Sequence, residues 1–143
     1  MIQKALLTFS PARRVFVIQE ALEKFKELSN DANGLCLIKK LLSICRSDPK
    51  LVTVAIEKMT KFSIELAQNP YGNYAIQVAL EFFTTEQCAP LLESMKGKYA
   101  QLSMLKFSSN AVERCIEKAD IEMRNEIIKE IISSEKFLSI FPK

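Results

Sequence analysis

The chain has 143 residues and a formal net charge of +3, and 48% of its residues are hydrophobic and 26% charged, which predicts one globular domain. No stretch approaches 18 apolar residues, so we expect no membrane-spanning helix, and the weak positive charge permits an anionic partner without requiring one. The absence of histidine excludes His-based acid–base catalysis and Cys/His zinc sites, so we expect neither an enzyme nor a metal site, a cofactor or a small-molecule substrate.

The sequence repeats itself at intervals of 36 to 38 residues. It divides into the tail of one repeat (residues 1–9), three repeats (10–46, 47–83 and 84–119) and the start of another (120–143). The three repeats contain "DANGLCLIKKLLSIC", "NPYGNYAIQVALEFF" and "LKFSSNAVERCIEKA". Only three glycines and five prolines occur in the whole chain, so these repeats are predicted to be helical.

The first two segments are the least regular. Residues 1–9 contain Gln3, which lies 36 residues before Lys39 and therefore occupies the equivalent position in an earlier copy. In the repeat 10–46, Leu35, Cys36 and Lys39 occupy the corresponding ligand-contacting positions. Leu35 and Cys36 offer little to a polar ligand, whereas the Lys39 ammonium group donates hydrogen bonds only. Lys39 can therefore meet a carbonyl, a ring nitrogen or a phosphate, and the sequence does not decide among them.

A long helix is predicted at the start of each complete repeat. In "VTVAIEKMTKFSIEL" the apolar residues are spaced by three and four, which is typical of one buried stripe. That stripe consists of Val52, Ala55, Met59, Phe62 and Leu66. Asp48 followed by Pro49 predicts the start of this helix, and Thr84-Thr85-Glu86-Gln87 predicts a capping box at the next one.

The last predicted helix begins at Asp120, which can serve as its N-cap. We expect a buried ridge formed by Ile127, Ile128, Ile131 and Ile132. The four cysteines, Cys36, Cys45, Cys88 and Cys115, are far apart and form no CxxC motif, so we expect small buried thiols in a reducing cell.

Each unit is therefore a long helix, a turn and a shorter helix. Such a unit cannot bury its apolar face alone, whereas stacked copies can, which predicts an α-solenoid. Both ends of the pattern are interpreted as cut, which indicates a fragment or a chain whose ends need a partner.

The short helices carry polar side chains at equivalent positions. If Ile76 and its apolar neighbours face the stack, Asn73, Tyr74 and Gln77 are expected to point away from it. An aromatic ring can stack on an unpaired base, and amides can both donate to and accept from uracil.

The next short helix carries Ser109, Asn110 and Glu113 instead. A carboxylate only accepts hydrogen bonds, and guanine offers two adjacent donors on its Watson–Crick edge. Glu113 therefore fits guanine and should reject uracil, whose carbonyl would face it.

These two motifs, Asn73-Tyr74-Ala75-Ile76-Gln77 and Ser109-Asn110-Ala111-Val112-Glu113, resemble consecutive repeats of the Pumilio/PUF family. Their order is similar to that of the sixth and seventh repeats of an eight-repeat domain. The resemblance implies an all-α, right-handed α-α superhelix, here truncated, whose concave face binds single-stranded RNA at one base per repeat.

The same resemblance implies particular roles for the motif residues. Asn73 and Gln77 would bond uracil while Tyr74 stacks; Ser109 and Glu113 would bond guanine while Asn110 lies between bases. The RNA would run antiparallel to the chain, so these repeats would recognise 5′-GU-3′ within a UGU element.

For the cell, the resemblance implies cytoplasmic binding of mRNA 3′ untranslated regions, with translational repression or mRNA decay and with protein co-repressors as further partners. Two alternatives stay open. One is a protein–protein scaffold of the HEAT or armadillo kind. The other is a divergent nucleolar PUF-like protein that binds RNA without base specificity.

Overall fold

A computed structural model describes residues 11–134, which form ten α-helices and no strand. The helices are α1 Pro11–Glu23, α2 Phe25–Ser29, α3 Ala32–Cys45, α4 Pro49–Lys61, α5 Ser63–Gln68, α6 Gly72–Phe82, α7 Thr85–Ser94, α8 Tyr99–Ser103, α9 Ser108–Lys118 and α10 Ile121–Ile132. The all-α solenoid predicted from the periodicity is confirmed.

The helices follow one another in groups of three: a long helix, a helix of five or six residues and a motif helix. The long helix and the middle helix are separated by Lys24, by Phe62 and by residues 95–98, so the interruption recurs with the sequence period. The prediction of one continuous helix across Phe62 is therefore wrong. Phe62 leaves helical geometry, with φ −120° and ψ 23°, although the apolar spacing continues through the break.

Two rows of helices result from this order. The motif helices α3, α6 and α9 pack side by side and are called here the motif row, while α1, α4 and α7 pack together as the long-helix row. The predicted stripe lies inside the stack: Val52, Ala55, Met59 and Leu66 are each 1% exposed or less. Phe62, at the kink, is only half-buried.

Side-chain caps begin the long helices α4, α7 and α10 where the sequence predicted them. Asp48 accepts a hydrogen bond from the Lys50 N–H at 3.0 Å, and Asp120 accepts one from the Met123 N–H at 2.8 Å. Thr84 and Gln87 form both bonds of the capping box. These oxygens satisfy N–H groups that have no partner within the helix.

The predicted isoleucine ridge of α10 is only partly correct. Ile127 is buried at 1% exposure, but Ile128 and Ile132 are 36% and 51% exposed. No helix follows α10 within residues 11–134, so Ile128 and Ile132 have no later helix to pack against in that range. The cysteine prediction is similarly mixed, because Cys45, Cys88 and Cys115 are buried and Cys36 is exposed.

Small residues let each motif helix approach the helix before it. A Cβ atom on Gly34 would lie 2.2 Å from the Leu28 carbonyl oxygen, and one on Gly72 would lie 2.7 Å from that of Leu66. At the equivalent place in α9, the Ser108 hydroxyl donates to the Leu102 carbonyl at 2.6 Å. The close approach is thus a shared feature of the three repeats.

The substitution Gly34→Ala is expected to destabilise the chain by about 1–3 kcal/mol, since the new methyl group meets backbone that no rotamer change can move. This cost exceeds the gain of about 1 kcal/mol in helix propensity from alanine. Urea denaturation should show a lower midpoint. Asn33→Ala, one residue earlier and exposed, is the control and should leave the midpoint nearly unchanged; equal midpoints for both variants would contradict the packing argument.

Candidate functional site

The motif row brings three sets of equivalent side chains together. We number the five residues of each motif one to five, so that position two is Cys36, Tyr74 or Asn110 and position five is Lys39, Gln77 or Glu113. All position-two side chains are exposed, and Tyr74 keeps 47% of its surface open. At position five, the side chains of Lys39 and Glu113 are exposed and that of Gln77 is partly buried.

At position one of the α6 motif, the side chain is buried, contrary to the prediction. Asn73 was expected to point away from the stack, but it is only 1% exposed. Its Nδ2 donates to the Asn69 and Pro70 carbonyls at 2.8 Å and 3.0 Å. These carbonyls precede α6 and attract the side chain, because short polar side chains readily bond nearby backbone groups.

The Asn73 amide is also bonded to Gln77. Its Oδ1 accepts a hydrogen bond from Gln77 Nε2 at 2.9 Å. One N–H of Gln77 and its Oε1 have no further partner within the described chain. Among the five residues of this motif, Gln77 and Tyr74 therefore offer free groups to a ligand.

The motif of α9 is more open. Ser109 Oγ donates to the Lys106 carbonyl at 3.3 Å and is partly buried. Asn110 and Glu113 are exposed, and neither side chain has a hydrogen bond or ion pair in the part of the chain that the structure covers. The Glu113 carboxylate is thus free to accept hydrogen bonds from a ligand.

The motif of α3 has a buried apolar residue at position one. Leu35 was predicted to occupy a ligand-contacting position, but it is 7% exposed and belongs to the core, so its side chain offers little surface to a ligand. Its apolar side chain packs inward, where asparagine stands in the next repeat. Cys36 and Lys39 are exposed, whereas Gln3 lies outside the described residues.

At the start of two motif helices, a side-chain oxygen accepts hydrogen bonds from backbone N–H groups, which the sequence analysis did not predict. Asp31 Oδ2 accepts from the Asn33 and Gly34 N–H groups, at 3.0 Å and 2.9 Å. Asn69 Oδ1 does the same for Tyr71 and Gly72 in the next repeat, at 2.8 Å and 3.0 Å. A signal existed in the sequence, namely an Asp or Asn three residues before Gly34 and before Gly72.

Other kinds of site lack support in residues 11–134. This range contains no group of three or more His, Cys, Asp or Glu side chains placed to hold a metal ion. None of its helices combines the length and the apolar character needed to cross a membrane. The motif row is accordingly the surface that the repeat pattern singles out.

Comparison with known proteins gives a family match over most of the chain. The profile of the NOP9-like PUF repeat domain matches residues 14–140. Pumilio homolog 12 of Arabidopsis thaliana is 32% identical over 133 residues, covering 93% of this chain and 22% of that protein. Suppressor protein MPT5 of Saccharomyces cerevisiae is 34% identical over 122 residues, covering 82% of this chain and 14% of that protein. The chain thus spans less than a quarter of either relative.

Solved structures share the same arrangement of helices. The RNA-binding domain of yeast Puf5p bound to SMX2 RNA matches with a TM-score of 0.74 and 28% identity, over 97% of this chain and 42% of that one. The Puf4 RNA-binding domain bound to the HO endonuclease RNA 3′ UTR recognition sequence matches with a TM-score of 0.86, over 99% of this chain and 43% of that one. The second match, at 17% identity, supports the fold alone.

Proposed function

The chain belongs to the PUF repeat family, and on that premise we propose that its motif row binds single-stranded RNA, one base per repeat. The observation that carries the proposal is that equivalent positions along the motif row hold polar or aromatic side chains suited to contacting a base. Exposed or partly exposed side chains stand at positions two and five of three adjacent helices, and they differ from one helix to the next. This is the pattern by which helical repeats distinguish successive bases.

The repeat with α6 is proposed to bind uracil. Tyr74 is exposed and can stack on a base, a contact worth about 1–3 kcal/mol. Gln77 keeps one N–H donor and its carbonyl acceptor, which match a uracil carbonyl and the N3–H group. Asn73 contributes to this recognition as the hydrogen-bonded partner of Gln77.

The repeat with α9 is proposed to bind guanine. The unpaired Glu113 carboxylate can accept from both N1–H and the N2 amine of that base. Asn110 is exposed beside it, in the place where Tyr74 stands in the previous repeat, and would lie between neighbouring bases. Ser109 is proposed to complete this contact at the base edge.

The repeat with α3 is proposed to accept a nucleotide with little base preference. Leu35 is in the core, so only Cys36 and Lys39 face the ligand. The Lys39 ammonium group has no ion-pair partner in the described part of the chain and offers donors alone. A base carbonyl, a ring nitrogen or a phosphate oxygen would each suit it.

The proposed target is 5′-GU-3′ within a UGU element of an mRNA 3′ untranslated region. Binding there would bring translational repression or mRNA decay, without catalysis by this chain and with protein co-repressors as partners. A cytoplasmic location is part of the proposal, supported by three buried free thiols that suit a reducing compartment. A second candidate is RNA binding without base specificity, which is favoured by the α3 motif, where Leu35 is in the core and only Cys36 and Lys39 are exposed.

Fluorescence anisotropy with a short labelled UGU-containing RNA tests the first candidate. We expect weak binding, since two or three stacked bases at about 1–3 kcal/mol each must offset the cost of association. Gln77→Ala should lower the affinity about tenfold, which corresponds to loss of one hydrogen-bonded contact near 1.4 kcal/mol. Glu113→Ala should lower the affinity for the guanine-containing RNA by a similar factor.

Single-base substitutions in the RNA separate the candidates. The proposal predicts that changing the G or the U weakens binding to the wild-type chain but has little further effect on the matching alanine variant. Equal affinities for all substituted RNAs would favour the second candidate. Absence of RNA binding at low salt would contradict both.

A further inference from the structure

We propose that a groove between the long helices α4 and α7 binds an arginine side chain of a protein partner. The residues around it belong to the long-helix row, whereas the residues proposed to bind RNA belong to the motif row. The groove would thus add a protein contact that uses none of the RNA-binding residues. This inference goes beyond the proposed function and does not depend on it.

The groove has an apolar floor and a volume of about 550 Å³. Val52 and Ile56 of α4 form the floor, and the exposed ring of Pro90 on α7 forms part of the opposite wall. The volume lies within the range of about 300–1,000 Å³ that is typical of ligand sites. It therefore admits a long side chain whose aliphatic stem rests on the floor.

The polar groups of the groove are mainly hydrogen-bond acceptors. The carboxylates of Glu57 and Glu86 are exposed, and neither forms an ion pair or a hydrogen bond in residues 11–134. Pro90 has no N–H, so the Glu86 carbonyl, four residues earlier in the same helix, lacks its usual helical donor. Thr60 lines the same groove, and its buried hydroxyl has no partner within the described range. A ligand that donates several hydrogen bonds would satisfy these groups.

Arginine fits these features better than other side chains do. Its guanidinium carries five N–H donors and a permanent positive charge, and its aliphatic stem can cover an apolar surface. A lysine ammonium is more strongly hydrated and lacks the planar fork of donors. Lys61 also lines the groove, but its ammonium lies 5.5 Å from the centre of the Phe62 ring, so the two unpaired carboxylates dominate the local charge.

A second groove, between α1 and α4, occupies the equivalent place one repeat earlier and lacks these acceptors. It is lined by Gln19, Leu22, Glu23, Leu51, Val54 and Lys58. By the repeat spacing, Gln19 stands in place of Glu57, and Val54, which has an N–H, stands in place of Pro90. The cluster of unpaired acceptors is therefore particular to the groove between α4 and α7 and does not follow from the stacking of long helices in general.

NMR titration of the isotope-labelled chain with N-acetylarginine methylamide tests the inference. We expect the backbone amide signals of Glu57, Glu86 and Gln87 to shift, with an affinity in the millimolar range because exposed ion pairs are weak. The citrulline derivative has nearly the same shape but no charge and should bind about tenfold more weakly, and the lysine derivative about threefold more weakly. Equal affinities for the arginine and citrulline derivatives, or shifts confined to the motif row, would overturn the proposal.

Variants of the groove locate the contact. Glu57→Gln and Glu86→Gln keep the size of each side chain and should each weaken arginine binding about threefold. Pro90→Ala returns a helical donor to the Glu86 carbonyl, so it should weaken arginine binding while raising the melting temperature. A merely structural role for Pro90 would not weaken binding in a more stable chain. Val54→Ala is the matched control in the second groove and should leave the affinity unchanged.

Thermal melting should show that the two glutamine variants are folded, because both carboxylates are exposed and unpaired. If the three groove variants bind the arginine derivative as tightly as the wild-type chain does, the proposal is overturned whatever the RNA titrations show. Gln77→Ala, in the motif row, should retain full arginine binding, and its loss there would also contradict a separate site.

Discussion

The triple substitution Ser109→Asn, Asn110→Tyr and Glu113→Gln is expected to change the preferred base of the α9 repeat from guanine to uracil. The carboxylate that accepts from two guanine donors is replaced by an amide that donates to a uracil carbonyl and accepts from N3–H. A ring replaces Asn110 and adds stacking of about 1–3 kcal/mol. Competition anisotropy with RNAs that differ only at the facing nucleotide should show the preference reversed, by about ten- to a hundredfold in total.

The structure gives a reason to expect that α9 will accept the new residues. The Ser109 N–H bonds the Leu105 carbonyl at 3.1 Å, as the Asn73 N–H bonds the Asn69 carbonyl at 3.2 Å. An asparagine at 109 would therefore find two backbone carbonyls placed as they are before α6. Glu113→Gln alone is the informative control: it should weaken guanine binding, because one of two acceptors becomes a donor, but it should lack the stacking that the tyrosine adds. An unchanged guanine preference in the triple variant would remove the assigned roles.

The repeat architecture was predictable because its signals are local or periodic. Helix starts at Asp48, Thr84 and Asp120 follow from side chains that can accept a hydrogen bond from a free N–H, and each forms that bond. The small residues Gly34 and Gly72 align in the first turn of the motif helices, where added atoms would meet backbone. Equivalent positions two and five also emerge on one surface, as the spacing of the motifs requires.

The burial of Asn73 was not predictable from the same patterns. Asparagine is a polar residue that is usually exposed, so the sequence predicts an exposed side chain here. The structure shows that the Asn73 amide is buried because it donates to the two backbone carbonyls that precede α6. The kink at Phe62 was hidden because the spacing of three and four continues across it. Neither feature alters the periodicity of apolar residues, and both depend on backbone geometry. The contacts of the motif residues with RNA stay predictions.

Raising the pH from 8 to 10 is expected to lower the free energy of unfolding by about 4 kcal/mol, through the three buried thiols. Burial raises the pKa of Cys45 and of Cys115 from 9.0 to about 12, and that of Cys88 to about 11. At pH 10 the unfolded thiols have largely lost their protons while the folded ones retain them. The folded state then binds more protons than the unfolded state, so stability falls as pH rises, by roughly 1.4 kcal/mol for each thiol at pH 10.

Urea denaturation under reducing conditions at the two pH values measures this loss. Cys88→Ala should remove about a third of it, because one of three similar contributions is deleted. Its thiol bonds the Ala79 carbonyl only weakly, at 3.8 Å, so the variant should remain folded at pH 8. Cys36→Ala is the matched control, since that thiol is exposed and the loss should be unchanged. The Tyr99 hydroxyl, whose pKa burial also raises, donates to the Leu92 carbonyl; it should add a smaller loss near pH 10, where an unfolded tyrosine begins to ionise, and more above it. A free energy of unfolding that is equal at pH 8 and pH 10, or a Cys88→Ala variant with the full loss, would show that these thiols do not govern alkaline stability.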